Sequence, residues 1–513
     1  MRYGLLAAAL LAAAPSISLA ADPMAAHKAF VGWTSGDAPS WHATGTHSYG
    51  ALRVAFTEAH RGIAFKDTTT GANGLMEAAG FNGRMAWATD ENNFLRLQLG
   101  RAAQTQIALE ILRSENLAQF NPTVAGHSTY NGQSVSILHA QPSGLPPIDV
   151  YESDATGAYV RAVVAPGQDE RVIDDIGYTQ VGNRHILSSW RVLDGDYSLT
   201  NFDVTRAVSD ADLSPGQSPQ WSIDTKPIPI VLDTSTDNSR LVRVEASVNG
   251  HRGIFTLSTG APSIILFSDF AAQAGVQDAG VMPWTPYSGN INFAGFGRAR
   301  DLSVGNSTIH NVVVARFNTP PSNHMAGILG YDFFANAVVN VDLSKSQLSL
   351  SDPNTPATPG NNGYAFPIDL STRTPVTTLM LTNGVAHPQI DTSLTGFILA
   401  SQTLRDTGRI TGHDIASSAA VTYSGFFTTG DPLALSGLDI TYTDWHSTTS
   451  TGRCVEADEL QIGPYRYTKP PVCFAGSNIF GSDGGAVGMD FLRHFNWSVD
   501  YPHQKFVVTP NGN

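Results

Sequence analysis

The sequence predicts a mainly β protein, and three observations predict it. Gly and Pro number 48 and 29 among 513 residues, which punctuates the chain too often for long helices. Many short runs alternate apolar and polar residues with the period of a half-buried strand, as in Leu52-Arg53-Val54-Ala55-Phe56. Hydrophobic residues make up 42% and include 24 Phe, enough for a sizeable core and against general disorder. This length allows about three domains. Acidic residues outnumber basic ones by 44 to 30, for a formal charge of -14. Such a chain repels nucleic acid and anionic lipid, which excludes both as general partners.

The first twenty residues read as a cleavable export signal. Arg2 is the positive start, Leu5 to Ala14 the apolar run, and Ser18-Leu19-Ala20 the small-x-small cleavage site. The expected location is outside the cytoplasm: the periplasm in a Gram-negative bacterium, otherwise the medium. No later segment is apolar over the length a spanning helix needs. Residues 22–222 form a first block, expected to be an antiparallel β domain with a helix. It opens with a short helix from Ala25 to Val31, and Met85-Ala86-Trp87-Ala88 is one of its strands. Residues 102–118 then place Ile107, Ile111 and Leu112 on one helical stripe. Tyr159 to Val164 and Ile186 to Arg191 are strand-like, and Asp154-Ala155-Thr156-Gly157 is a hairpin turn. Ser209 to Pro219, rich in Ser, Asp, Pro and Gln, is a linker to a second block, 223–355. The Pro-rich spacer from Ser351 to Gly360 leads to the third, 356–513.

The second and third blocks repeat each other. Each has a strand, an Asn-Gly pair (Asn249-Gly250, Asn383-Gly384) and a second strand. That second strand ends at Leu257-Ser258-Thr259-Gly260-Ala261 in one copy and at Ile390-Asp391-Thr392-Ser393 in the other. Tyr-Ser-Gly follows in both, at 287–289 and 423–425. Each closes on a matched stretch, Gly330-Tyr331-Asp332-Phe333-Phe334 and Gly488-Met489-Asp490-Phe491-Leu492. Four features in one order indicate a duplication.

These residues resemble the aspartic peptidases, particularly their bacterial retropepsin-like members. In that family each lobe gives an Asp-Thr-Gly loop, followed later by two hydrophobic residues and a Gly, as in Ile328-Leu329-Gly330 and Ala486-Val487-Gly488. The resemblance implies two β lobes forming a bilobal unit, with a peptide-binding cleft between them. It also implies flap tips at Tyr287 and Gly289 and at Tyr423 and Gly425, which read equally as ordinary hairpin turns. The chemistry explains the two loops. Two carboxyls about 3 Å apart share a proton, so one activates a water while the other polarises the scissile carbonyl.

This chain departs from the pattern at the dyad. Ser258 stands where the family has an Asp, and a hydroxyl cannot share that proton as a carboxylate does. Asp391 and Thr392 are kept, but Ser393 replaces a Gly, which adds strain or moves the loop if the backbone must approach closely there. Asp391 is therefore the catalytic candidate, with Thr392, Ser393, Ser258, Thr259 and Gly260 as its loops. Three outcomes stay open: a cleft that grips extended peptide or unfolded protein without cutting it, a pairing of third blocks from two chains that brings two copies of Asp391 together, or weak hydrolysis with a carboxylate recruited nearby.

Other residues carry plainer readings. Asp332 and Asp490 are expected to cap short helices, and Asp342 and Asp500 to order turns at strand starts. Cys454 and Cys473 lie symmetrically about Gly463-Pro464, so a cross-strand disulfide is expected in an oxidising compartment. The 15 His lack metal-ligand spacing and no G-x-S-x-G elbow is present, so no metal or cofactor is expected. In the first block, Gly80-Phe81-Asn82-Gly83 before Met85-Ala86-Trp87 and Asp90 resembles segments preceding peptidase lobes in exported bacterial proteins. The block is also weakly similar to the outer-membrane lipoprotein carrier fold, which implies a hydrophobic ligand; the other reading is a sheet that packs against or shields the lobes.

Overall fold

The computed structural model describes residues 22, 24–32, 40–166, 170–192, 195–233, 241–284, 292–318, 325–394, 396–414, 422–423, 448–449, 454–475 and 483–512. The expected export signal, residues 1–20, and the loop residues Tyr287, Gly289 and Gly425 lie outside them. Tyr423 falls in the two-residue strand Thr422–Tyr423, paired with Thr448–Thr449. The protein is mainly β, with strands in three large sheets. Among the described residues no helix is long and apolar enough to cross a membrane.

The first sheet has thirteen strands and is built from residues 40–203. Neighbours in sequence pair as antiparallel hairpins, and the first strand, Ser40–Tyr49, also pairs with the last, Gly195–Asp203. The short helix Ala25–Val31 forms as the sequence predicts and ends on Gly32 in the left-handed region. The second helix runs from Gly100 to Arg113 rather than over 102–118. It stops where Glu115 turns to a φ of 58°, and the rest of that stretch forms the short turn Leu117–Phe120. Its stripe, with Ala108, Ile111 and Leu112, packs against Trp41, Phe56, Leu138 and Trp190. Beside that stripe lies a buried charge cluster. Arg113 pairs with Glu58 and, at 2.8 Å, with Glu110, while Trp41 Nε1 donates to Glu58 at 2.6 Å. Burial there pushes His60 down to about 3, so that imidazole is neutral.

The second sheet, also of thirteen strands, holds the strands of the second block and continues into the third. The junction is the antiparallel pair Val338–Asp342 and Phe495–Asp500, with Val339 opposite Val499. The third sheet has nine strands, all from the third block. Connectivity repeats between the blocks. His251–Leu257 pairs in parallel with Gly327–Leu329, as Gly384–Ile390 does with Gly484–Val487. Ile265–Phe267 and Ile398–Ser401 then run antiparallel to those same partners and lead into the helices Ser268–Gln273 and Gln402–Asp406.

Cys454 and Cys473 sit directly opposite each other in paired strands and are disulfide-bonded. Asp342 and Asp500 stand at strand ends rather than starts, and each orders backbone beyond its own strand. Asp342 accepts from Lys345 N at 3.1 Å, and Asp500 from His503 N at 3.2 Å and Ala357 N at 2.8 Å. The first block does not stand apart. Its Val54 and Leu75 share a core with Met282 and Phe296 of the paired strands Gln277–Trp284 and Asn292–Val304, and with Ile265, Val313 and Ile328.

Candidate functional site

Two strands deliver the two loops to one point. His251–Leu257 runs into Ser258, whose N–H donates to Leu329 O at 3.0 Å; Gly384–Ile390 runs into Asp391, whose N–H donates to Val487 O at 2.9 Å. The glycines after those hydrophobic pairs are required by close approach. A Cβ on Gly330 would lie 2.1 Å from Ser263 O, and one on Gly488 2.4 Å from Gly396 O.

The loops then interlock through their threonines. Thr259 Oγ1 donates to Ile390 O at 2.5 Å and accepts from Thr392 N at 3.1 Å. Thr392 Oγ1 returns both bonds, donating to Leu257 O at 3.0 Å and accepting from Thr259 N at 3.1 Å. Ser258, Thr259, Asp391 and Thr392 are fully buried. The predicted site residues Ser258, Thr259, Gly260, Asp391, Thr392 and Ser393 are thus brought together.

At the centre a chain of hydroxyls leads to one carboxyl. Asp391 Oδ1 accepts from Ser393 N at 2.8 Å and from Ser393 Oγ at 2.7 Å, and Ser393 Oγ stands 2.9 Å from Ser258 Oγ. Ser393 has one hydroxyl hydrogen, and the carboxylate takes it, so Ser258 is the donor in the second bond. Burial raises the Asp391 carboxyl, while the amides of Ser393, Gly260 and Leu394 and the Ser393 hydroxyl hold it down. The groups that act on it most strongly are these hydrogen-bond donors.

Ser393 is accommodated without a left-handed backbone, and the reason is on the other side of the site. Gly260 occupies the matching place in the first loop. A Cβ there would lie 2.4 Å from Asp391 Oδ2 and 2.6 Å from its Cγ. Glycine therefore stands where the facing side chain is a carboxylate, and serine where it is the shorter Ser258. The expected strain at Ser393 is absent for that reason.

Residues 244–333 match a family model described as aspartyl protease. An aspartyl-protease-like region is present, and it contains Ser258-Thr259-Gly260 and the Ile328-Leu329-Gly330 turn. No curated protein matches the chain. Among solved structures, a DUF1329 family protein from Desulfovibrio piger is similar at 12% identity over 34% of this chain and 88% of that one. Its TM-score of 0.27 carries no argument about function.

Two acids differ from their expected roles. Asp332 caps no helix: the segment Tyr331–Phe334 follows Gly330 without a side-chain cap. Its Oδ2 instead accepts from Ser263 Oγ and Ile264 N, both at 2.7 Å, which ties down the turn after the Ser258 loop. Asp490 also makes no cap and pairs with Arg493 at 3.2 Å. Sequence reasoning passed over Glu77, Glu91 and Arg373, which meet at the junction of the first and third blocks. Arg373 donates to Glu91 at 2.9 Å and to Glu77. Partners this far apart in the chain leave no spacing signal; Asp90-Glu91-Asn92 interrupting an apolar stretch was the visible hint. Among the described residues no group of three or more His, Cys, Asp or Glu is placed to hold a metal ion.

Proposed function

We propose that the repeated halves of residues 223–513 are aspartic-peptidase-like lobes of an exported protein that holds extended polypeptide between them without hydrolysing it. One observation carries this reading: the Ser258–Ser393–Asp391 hydroxyl chain stands where hydrolysis needs a second carboxyl. In the dyad one carboxylate takes a proton from water while its protonated partner donates to the substrate carbonyl. Asp391 supplies one such group. Ser258 donates a hydrogen bond but does not exchange an acidic proton near neutral pH. Recruitment of another carboxylate gains no support from the hydrogen bonds to the Asp391 side chain, which come from Ser393. Pairing of two third blocks is disfavoured by the threonine exchange, which binds Thr392 to the second block of its own chain through four buried hydrogen bonds. A cleft between β lobes still offers backbone groups to an added strand, which gives affinity without chemistry.

No observation in the first block favours a hydrophobic ligand, and its helix stripe is spent on its own core. The test uses the purified mature chain and a peptide library. Mass spectrometry reads cleavage, and fluorescence polarisation reads binding, for wild type and Asp391→Ala. Binding of extended peptides with no cleavage is expected. Cleavage that disappears in Asp391→Ala overturns the non-hydrolytic reading, and failure to bind any library member overturns the cleft.

A further inference from the structure

A short stretch of the first block packs beside the candidate site. After strand Ala86–Thr89, residues Asp90, Glu91, Asn92 and Phe94 are all buried. Phe94 enters the core that also holds Trp221, Leu257 and Ile390. Asn92 pairs with Val313 as a strand backbone would, donating from Nδ2 to its O at 2.8 Å and accepting at Oδ1 from its N at 2.6 Å.

Asp90 and Asp332 meet carboxyl to carboxyl. Asp90 Oδ1 accepts from Asn92 N at 2.9 Å and Phe94 N at 2.8 Å, and Asp332 Oδ2 is taken by Ser263 and Ile264. The oxygens left over, Asp90 Oδ2 and Asp332 Oδ1, are both buried and take no hydrogen bond from a described donor, and the two carboxyls act on each other. Two interacting buried carboxyls do not both ionise, so the pair holds a proton. Burial and the facing Asp332 push the Asp90 carboxyl well up. Asp332 is likewise raised by burial, with the hydrogen bonds from Ser263 and Ile264 holding it back, so the proton belongs to the pair. The other charged or titratable groups around the pair are Glu91, Glu77, Arg96, Arg373 and Tyr331. Arg373 lies two residues before Pro375, whose carbonyl accepts from Ile390 N at 2.9 Å, next to Asp391.

We infer that residues 90–94 are a proton-held brace for the candidate site: the proton that Asp90 and Asp332 share fixes Asp332, Asp332 fixes the Ser263–Ile264 turn behind Ser258, and Glu91 with Glu77 fixes Arg373 behind the strand that ends at Asp391. Asp90 is a positioning residue that acts through Asp332. The consequence for peptide affinity rests on the cleft proposed above; the brace itself does not. The sign comes from the shared proton. A carboxyl raised in the docked state favours docking at acid pH, and that support is lost as pH rises through the docked-state value. Two facing carboxylates then repel, with Arg373 and Arg96 offsetting part of the repulsion.

The test is hydrogen exchange of amides 258–261, 263 and 264 in the full mature chain across a pH series, normalised for intrinsic exchange. Wild type is expected to lose about tenfold in protection from the acid to the alkaline end, a factor equivalent to about 1.4 kcal/mol. Asp90→Asn offers Asp332 a hydrogen-bond donor without a titrating proton, so its profile is flat and protected. Asp90→Ala exchanges fast at every pH. Superimposable wild-type and Asp90→Asn profiles overturn the brace, and that comparison stands even where Asp90→Ala fails to fold. Affinity for a library peptide, measured over the same series, falls with protection in wild type and stays level in Asp90→Asn. pH-dependent protection in a chain that binds no peptide rejects the cleft while supporting the brace.

Discussion

Ser258→Asp places a second carboxyl opposite Asp391, and the surroundings of Gly260 set what it meets. On the existing side, a Cβ at position 260 would lie 2.4 Å from Asp391 Oδ2, about 1 Å inside ordinary contact. The repeat puts Ser393 in the same relation to position 258, and Ser393 does carry a Cβ. A carboxylate at 258 therefore collides with Ser393, and the collision costs about 1–3 kcal/mol as overpacking does elsewhere. Ser393→Gly alone removes the bond to Ser258 and the hydroxyl donor to Asp391, for about 1–2 kcal/mol. The double variant relieves the collision, so the two changes couple favourably by roughly 1–3 kcal/mol. The assay is a double-mutant cycle of unfolding free energies, run beside peptide cleavage. Only the double variant is expected to cleave, and only at acidic pH where the new pair holds its single proton. Additive stabilities within about 0.5 kcal/mol, or cleavage by Ser258→Asp alone at the level of the double variant, would show that Ser393 is indifferent to what stands at 258.

Other contacts give further expected outcomes. Arg373→Ala leaves Glu91 buried without its cation and costs about 3–5 kcal/mol, read as a lower unfolding midpoint. Gly260→Ala pushes a methyl into the Asp391 carboxyl and loses about as much as other overpacked core changes, roughly 1–3 kcal/mol, with circular dichroism melts as the readout. Burial raises Glu152 from its ordinary 4.5 to about 7, so the first block loses stability as pH climbs between those values. Glu152→Gln removes that loss, and melts at acid and at mildly alkaline pH show a gain of about 1–2 kcal/mol at the alkaline end alone. Reducing the Cys454–Cys473 bond, which closes a loop of sequence separation 19, costs about 3 kcal/mol, measured by melts with and without reductant.

The β class, the helix at Ala25–Val31 and the paired cysteines were legible because each depends on neighbours in sequence: alternation, a short apolar stripe, symmetry about Gly463-Pro464. The repeated strand connectivity was legible because the two loops keep matching residues in order. Helix Gly100–Arg113 was misjudged at its end because nothing local marks Glu115 for a left-handed turn. The role of Asp332 was hidden for a different reason. A Gly-x-Asp ahead of a helical turn looks like a cap, and its real partners, Ser263, Ile264 and Asp90, are chosen by packing between blocks. Ser393 showed itself as an oddity in sequence, and its compensation for Ser258 needed the distance between them.

Strand Ser40–Tyr49 waits for Gly195–Asp203 to become its neighbour, and the first block's outer core waits longer still for Met282 and Phe296. A ribosome delivering this chain from its beginning thus releases an unfinished ribbon with raw edges, then an oily flank that is covered only when much later residues emerge. Such an intermediate is slow to mature and prone to stick to its own kind, so a holding chaperone is of most use to this protein before its central strand pair has been made.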